Sequence, residues 1–265
     1  MNLTQLVTTL SGARIYDLAQ PYYTGMPHHP VHPPFLFSLS KKHGDLLTPG
    51  GTSSAAEAIA LGTHVGTHID ALCHFSCGGK LHGGFEAADH QSYGGGLRKH
   101  SVDGIVSILR RGVLLDIAGL AGVDELAADF VITPEHLDQA CARQSVEVRA
   151  GDVVLVRTGW ARLWDDAARY IRGATGPGPQ LAGALWLSGR KVFAAGSDTI
   201  AFEHVPSNDM PVHVHLLVEN GIHIIEALNM EEIARQRVYE FLFVATPLKI
   251  RGGTGSPMRP LAVVV

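Results

Sequence analysis

The chain of 265 residues carries 21 lysines and arginines against 25 aspartates and glutamates, which gives a formal net charge of −4. No basic stripe is present for nucleic acid, and no apolar run approaches the length of a membrane span. The first ten residues lack the features of a secretion signal. We therefore expect a cytoplasmic protein that takes a small-molecule substrate and has no nucleic-acid or membrane partner.

Histidine is the residue type whose count stands out. The chain has 15 histidines but only three cysteines, which are too few and too scattered for a disulfide framework. Histidine is the commonest metal ligand and the proton carrier of neutral pH, so the positions at which histidines cluster are the first candidates for chemistry. The charged fraction of 17% is low for a small monomer and hints at buried subunit interfaces.

Apolar segments rich in β-branched residues alternate with helical segments along the chain. The predicted strands span 13–17, 113–117, 152–157, 192–195, 223–226, 240–245 and 261–265. Thr133 followed by Pro134 is a good helix start, opening a helix to about Arg143, and further helices are predicted over 179–188 and 230–237. This alternation predicts an α/β fold with the whole chain, 1–265, as a single domain.

Two segments are predicted to be irregular. Residues 20–35 contain five prolines and three histidines, and residues 78–96 are rich in glycine. Loops of this kind often shape an active site on a rigid scaffold.

The first histidine cluster lies in residues 61–75, where His64, His68, Asp70 and His74 fall within eleven positions. A fully extended strand would separate His64 from His68 by roughly 13 Å, which is too far for two ligands of one metal ion. Gly66 permits a bend between them, whereas the glycines and β-branched residues disfavour a helix. We predict a kinked strand with His68 and Asp70 on one face and His64 swung in.

Two neutral imidazoles and a carboxylate suit zinc, manganese or iron(II), and three protein ligands leave room for water. A metal ion lowers the pKa of such a water to about 7 and so makes hydroxide available to attack a carbonyl group. His74 is then placed to act as the general acid and base.

A second cluster lies in residues 211–226 and is predicted to form a short helix, a turn at Gly221 and a strand. His213 and His215 are two positions apart and do not share a helix face, so at most one of them is expected to be a ligand. Glu226 ends an apolar strand, where a carboxylate must be paired or bound to a metal. Pairing with backbone groups or arginine explains Glu226 equally well.

The two clusters together resemble the metal-dependent cyclase-like hydrolase family, which includes bacterial arylformamidases (kynurenine formamidases) and isatin hydrolases. The family pattern His-x-Gly-Thr-His-x-Asp, with a further histidine four residues on, is matched from His64 to His74. A later, less specific pattern is matched at His213, Leu216, Leu217, Gly221, Ile222 and Glu226. Weaker similarities run through residues 151–160, 196–199 and 252–260, so the resemblance covers nearly the whole chain.

The resemblance implies a swivelling β/β/α fold with a mixed sheet, a homodimer or homotetramer, and one or two divalent ions, zinc or manganese. His64, His68 and Asp70 would hold the first ion. Asp70 would bridge to a second ion bound by His213 and Glu226, with His74 as general acid and base.

The chain departs from the arylformamidase pattern in two places. Leu72 stands where proline is expected, and His29-Pro30 stands where those enzymes have tryptophan before a proline. Both differences argue against formylkynurenine as the substrate. The candidates for lining the substrate pocket are His29, Phe35, Phe75 and Trp160.

The function expected from these observations is hydrolysis of a C–N bond in an amide, formamide or cyclic imide or lactam. Two alternatives remain. An iron(II) oxygenase could use His68, Asp70 and His213 as a facial triad, but it would need an all-β double sheet. A non-catalytic metal-binding protein could retain the same scaffold and ligands.

Overall fold

Fifteen strands and seven short α-helices make up the fold of the computed structural model, which describes residues 2–265. The strands are β1 (Arg14–Asp17), β2 (Leu36–Lys41), β3 (Ala56–Ala60), β4 (His68–Asp70), β5 (Gln91–Ser92), β6 (Gly96–Leu97), β7 (Ile108–Asp116), β8 (Val131–Ile132), β9 (Val153–Arg157), β10 (Gly178–Pro179), β11 (Ala194–Ser197), β12 (His223–Glu226), β13 (Glu240–Ala245), β14 (Gly255–Pro257) and β15 (Leu261–Val264). The helices are α1 (Leu3–Ser11), α2 (Ile117–Ala121), α3 (Pro134–Gln144), α4 (Ala167–Ile171), α5 (Leu181–Gly189), α6 (Pro211–His213), which continues as a π-helix over Val214–Glu219, and α7 (Glu231–Arg235).

Nine of these strands form one mixed sheet in the order β1-β15-β13-β7-β9-β11-β12-β4-β14. The central strands β7, β9, β11 and β12 run parallel, and the flanking pairs are antiparallel. The predicted α/β fold with a mixed sheet is confirmed. An all-β double sheet, which the iron(II) oxygenase alternative requires, is not the architecture of residues 2–265.

The two faces of the sheet are buried against different partners. In β9, Val154 and Val156 pack on one face with α3 and α5, while Val153 and Leu155 belong to a second cluster on the other face, together with Phe241 and Phe243 of β13. Because side chains alternate across a strand, a strand buried on both faces is a continuous apolar run. This is why β9 was recognisable from sequence.

Most predicted elements are confirmed. Some of them begin or end at residues other than those that the local sequence pattern predicts. Helix α3 begins at Pro134 with Thr133 as its N-cap, as predicted. The strand predicted over 113–117 begins earlier, at Ile108, and ends at Asp116. Asp116 accepts a hydrogen bond from the Gly119 N–H and so caps α2, which takes Ile117 into a helix. The strand predicted over 192–195 is shifted to Ala194–Ser197.

The bend predicted at Gly66 is confirmed, but His64 lies in a turn that precedes the strand and not within a kinked strand. Strand β4 covers only His68–Asp70, and Gly66 has a φ of +63°, in the left-handed region. Not predicted were α1 and the β2–β3 hairpin. In residues 2–265 no helix combines the length and the apolar character needed to cross a bilayer.

An ion network at the end of β9 ties the sheet to α7. The guanidinium of Arg157 donates to Asp116 Oδ1 at 2.7 Å and to Glu231 Oε1 at 2.7 Å, and the side chain is 9% exposed. The neighbouring Arg162 approaches Glu231 at 3.8 Å and Asp124 at 3.4 Å, but its side chain is 47% exposed.

We expect Arg157→Ala to lower the free energy of unfolding by about 2 kcal/mol, because Asp116, which is 14% exposed, loses its cation and Glu231 keeps only the more distant Arg162. Arg162→Ala, the matched control, should change it by less than about 1 kcal/mol, since an exposed pair contributes little. Urea unfolding followed by circular dichroism measures both. Equal losses would contradict the importance of burial in this network.

Candidate metal centre

The site is assembled by the position of β4 between two antiparallel neighbours. His68 is paired with Glu226 of β12, and Asp70 is paired with Gly255 of β14. Residues directly opposite each other in an antiparallel pair have their Cβ atoms within about 5.5 Å. The sheet register therefore brings the two clusters of the sequence together.

His64 precedes β4 and is joined to it by a turn that the Tyr22 side chain holds in place. The Tyr22 hydroxyl hydrogen-bonds to the carbonyl oxygens of Val65 and Thr67, at 3.0 and 2.8 Å. A Cβ at Gly66 would lie 2.5 Å from the Tyr22 ring, so only glycine fits there. The turn places His64 Nδ1 2.7 Å from Asp70 Oδ1.

Space for the His64 ring comes from β14. A Cβ at Gly255 would lie 2.5 Å from the His64 ring, so this position must also be glycine. The neighbouring Thr254 places its hydroxyl 2.8 Å from His64 Nε2. With Nε2 occupied by Thr254, His64 presents Nδ1 to the centre of the site.

His68 presents Nε2 to the same centre. Its Nδ1 lies 2.8 Å from the Gly66 carbonyl oxygen, which can only accept, so Nδ1 carries the proton. Nε2 then faces Asp70 Oδ1 at 3.5 Å and Glu226 Oε2 at 3.4 Å. A histidine that donates one N–H to a backbone carbonyl and leaves the other nitrogen free is the usual arrangement of a metal ligand.

Two atoms at the centre have no hydrogen-bond partner although they are buried: His68 Nε2 and Asp70 Oδ2. Burial of a polar atom without a partner costs on the order of 1–3 kcal/mol, and more for a charged group. Several nitrogen and oxygen atoms that can act as acceptors converge here, so the geometry fits a cation. Either a metal ion or additional protons on the histidines must balance Asp70 and Glu226.

The carboxylates and imidazoles of the site shift one another's pKa values in the directions expected from their charges. Burial raises the pKa of Asp70, but the imidazoles of His74, His64 and His68 outweigh it and hold this pKa well below its usual range. Burial lowers the pKa of His68, and the carboxylates of Asp70 and Glu226 more than reverse that effect. Asp70 is therefore ionised at neutral pH.

His213 joins the cluster from the opposite side, at the junction of α6 with the π-helix. Its Nε2 lies 3.2 Å from Glu226 Oε1 and 4.0 Å from Asp70 Oδ2. His215 points elsewhere, between Ser188 Oγ at 2.8 Å and Glu219 Oε2 at 2.7 Å. Of the two candidate histidines of the second cluster, only His213 faces the site.

Glu203 positions His213 and was missed by sequence reasoning. Its Oε1 lies 2.6 Å from His213 Nδ1 and accepts the His213 backbone N–H at 3.0 Å, and Glu203 is 1% exposed. Burial lowers the pKa of His213, but Glu203 and Glu226 outweigh it and raise this pKa to about 10. The only signal in the sequence is a carboxylate that follows the apolar Ile200-Ala-Phe202.

His74 lies in the turn after β4 and stacks on His64, with ring centroids 3.8 Å apart. Burial, together with the neighbouring histidines, lowers the pKa of His74 to about 3 despite the opposing charge of Asp70, so His74 is neutral at pH 7. Two sets of side chains place ligand atoms within 4.8 Å of one another: His64, Asp70 and His74, and His68, Asp70 and Glu226. Asp70 belongs to both sets.

A cavity of about 710 Å³ opens onto these residues. His29 and Phe75, both predicted to line the pocket, are in its wall together with His64, His74, His213 and Glu226. His32, which was not predicted, stacks on His64 with centroids 5.2 Å apart, and burial lowers its pKa to about 4.

Phe35 and Trp160 are not in the cavity wall, contrary to the prediction. Both are buried in a hydrophobic cluster with Met26, Val65 and Tyr170. Trp160 is 2% exposed because it begins a 3-10 turn directly after Gly159, which directs its ring into this cluster. The two aromatic residues therefore lie in the same cluster as Met26 of the 20–35 loop and Val65 of the turn before β4, and so support both segments.

We expect Glu203→Gln to weaken binding of zinc or manganese at the His213 side by about 10- to 100-fold, because the neutral amide lowers the basicity of the imidazole. Glu219→Gln is the matched control, since Glu219 contacts His215 at a similar distance outside the site. Titration of the metal-free protein by calorimetry measures both variants. A similar loss in both would mean that the π-helix, rather than the contact with His213, was disturbed.

The chain matches known proteins over most of its length. The sequence model of the cyclase family matches residues 16–204. An isatin hydrolase from Roseibium aggregatum is 27% identical over 215 residues, 78% of this chain and 73% of that protein. A kynurenine formamidase from Bacillus thuringiensis subsp. konkukian is 25% identical over 245 residues, 92% of this chain and 94% of that protein.

A solved structure supports the same relationship. The crystal structure of a protein described as a novel cyclase superposes on this chain with a TM-score of 0.87 at 28% identity, covering 98% of this chain and 89% of that one. Because the family match spans most of the chain and the fold agrees, the protein belongs to the cyclase family and is a hydrolase of that family.

Proposed function

We propose that this enzyme hydrolyses the C–N bond of an amide with the help of one or two divalent metal ions, zinc or manganese. The observation that carries the proposal is the pair of buried, unpartnered atoms, His68 Nε2 and Asp70 Oδ2, beside Glu226. The names of the relatives agree with it, because isatin is a cyclic amide and a formamidase cleaves a formamide.

The ligands would fall into two groups that share Asp70. His64, His68 and Asp70 would hold one ion, and Asp70, His213 and Glu226 would hold a second. When bound, such an ion supplies a Lewis acid that polarises a carbonyl group and lowers the pKa of water.

His74 would carry the proton of the reaction. It is neutral at pH 7 and lines the cavity, so a ring nitrogen is free to accept a proton; because a pKa of about 3 makes it a weak base, the attacking water would have to be acidified by a bound ion. The stacked His64 disfavours a lasting positive charge on His74. The proton is therefore passed on readily to the leaving nitrogen.

The cavity wall favours a neutral substrate. Within residues 2–265, it contains no lysine or arginine that could pair with a substrate carboxylate. It has the aromatic face of Phe75 and the apolar side chains of Ile200, Val205 and Met210. With Leu72 and His29 at the positions that differ from arylformamidases, these features support a flat, neutral lactam rather than formylkynurenine.

Removal of metal should abolish hydrolysis of a lactam such as isatin, and zinc or manganese should restore it. We expect Asp70→Asn to lose both the metal and the activity, because Asp70 is shared by the two groups of ligands. Elemental analysis and an assay of ring opening measure the two losses. Full activity in metal-free protein, or oxygen uptake coupled to turnover, would refute the proposal.

His74→Ala should retain most of the metal but lose turnover by about 10²- to 10⁴-fold, the usual contribution of general acid–base catalysis. His43→Ala, a change at an exposed histidine remote from this cluster in the sequence, is the control and should keep both. If elemental analysis finds His74→Ala empty, His74 is a ligand, which its distance from His64 and Asp70 also permits.

The substrate preference can be tested with a matched pair. We expect kcat/KM for isatin to exceed that for N-formylkynurenine by at least about 100-fold, because the cavity wall offers no lysine or arginine to the carboxylate of N-formylkynurenine. A preference for N-formylkynurenine would show that the positions of Leu72 and His29 do not decide the substrate.

A further inference from the structure

A second cavity lies at the end of the sheet where three of the parallel strands begin. Its volume is about 360 Å³. The wall contains residues that lie just before these strands: Gly151 before β9, Val192 and Phe193 before β11, and Ile222 before β12. It shares no residue with the wall of the cavity beside the candidate metal centre. A cavity of this size can hold a small molecule.

Arg110 of β7 brings a guanidinium to this wall in a defined position. Its Cζ lies 4.0 Å from the centroid of the Phe193 ring, and its Nη1 donates to the Gly151 carbonyl oxygen at 3.4 Å. Gly151 has a φ of +85°, and a Cβ there would lie 3.3 Å from Nη1, so glycine allows the close approach. The other N–H groups of the guanidinium have no hydrogen-bond partner among residues 2–265. Arg110 is thus oriented by the protein but keeps donors free for a ligand.

The positive charge of this wall is not neutralised by the part of the chain that the structure describes. Lys191 is exposed and lines the same cavity, and neither Lys191 nor Arg110 forms an ion pair with a carboxylate of residues 2–265. The two carboxylates adjacent in sequence to the wall have other partners. Asp152 accepts a hydrogen bond from Arg111 at 2.7 Å, and Glu219 contacts a histidine at 2.7 Å. The cavity therefore presents two positive charges to an anion.

The remaining side chains of the wall narrow the class of anion. A guanidinium matches the two oxygen atoms of a carboxylate, or those of a phosphate, in a bidentate contact. Val192 and Ile222 are each 4% exposed and give the cavity an apolar part beside the aromatic ring of Phe193. Inorganic phosphate has no apolar body that could cover these side chains. A nucleic acid needs a stripe of positive charge rather than two charges at one cavity.

We propose that this cavity binds the carboxylate of a small organic acid with an apolar body, such as an aromatic carboxylic acid. Arg110 donates hydrogen bonds to the carboxylate, Lys191 adds a second positive charge, and the apolar body lies against Val192 and Ile222. The inference rests on this cavity alone and does not depend on the proposed function.

Titration of the purified full-length protein with 4-bromobenzoate, followed by calorimetry, tests the proposal. Arg110→Gln should weaken binding by about 10-fold or more, because it removes the charge-assisted, bidentate contact. Arg143→Gln is the matched control. Arg143 also donates to a backbone carbonyl oxygen, that of Leu120 at 3.1 Å, but it does not line this cavity. The control should bind 4-bromobenzoate as the unmodified protein does.

The place of binding needs its own measurement, because a carboxylate can also bind a metal ion. In crystals grown with 4-bromobenzoate, the anomalous scattering of bromine should place the molecule beside Arg110 and Ile222. Lys191→Gln is a second variant for the case in which Arg110→Gln does not fold. It should weaken binding by about 3-fold, since an exposed charge contributes less than an oriented guanidinium.

Three outcomes would overturn the proposal. The first is bromine found only in the cavity beside the candidate metal centre. The second is equal affinity of the unmodified protein and of Arg110→Gln, or of Lys191→Gln where Arg110→Gln does not fold. The third is tighter binding of inorganic phosphate than of 4-bromobenzoate at this cavity, which would assign it to an anion without an apolar body.

Discussion

A carboxylate buried at the centre of the site is the constraint on which the rest of the arrangement depends. Asp70 is 1% exposed, and a second carboxylate, Glu226, lies across the strand pair from His68. Removing such a charge from water costs several kcal/mol unless opposite charge or hydrogen bonds replace the solvent. His64, His68 and His213 supply nitrogen atoms around the two carboxylates, and a metal ion would supply the missing positive charge.

Thr67 fixes the register of β4, which places His68 and Asp70 at the site. It is fully buried, its hydroxyl donates to the Ala227 carbonyl oxygen at 2.6 Å and accepts the Gln20 N–H at 2.8 Å, and its own carbonyl oxygen accepts the Met258 N–H at 3.0 Å. One residue thus ties β4 to three other segments. A slip by one position would turn His68 and Asp70 to the opposite face. The threonine between glycine and histidine in the first motif is explained by this structural role.

Local patterns predicted the elements that are defined by their own residues. The buried central strands are continuous apolar runs, and the kink at Gly66 follows from spacing and glycine alone. Contacts made across the fold could not be foreseen in this way. Glu203 contacts His213 only because the chain between these two residues brings them together. The inward direction of the Trp160 ring depends on the preceding loop. The β2–β3 hairpin was missed although Phe37 and Leu39 alternate with Ser38 and Ser40, a pattern that indicates a strand.

The dependence of the first ligand cluster on β14 has a consequence for the order of events during synthesis. Residues 64–70 leave the ribosome long before Thr254 and Gly255, which hold and accommodate the His64 ring. Until β14 pairs with β4, Asp70 lacks one of the two residues paired with it across the sheet, and the His64 ring lacks the space beside Gly255. A nascent chain therefore lacks the completed cluster of candidate ligands, so binding of an ion there would report that the sheet has closed.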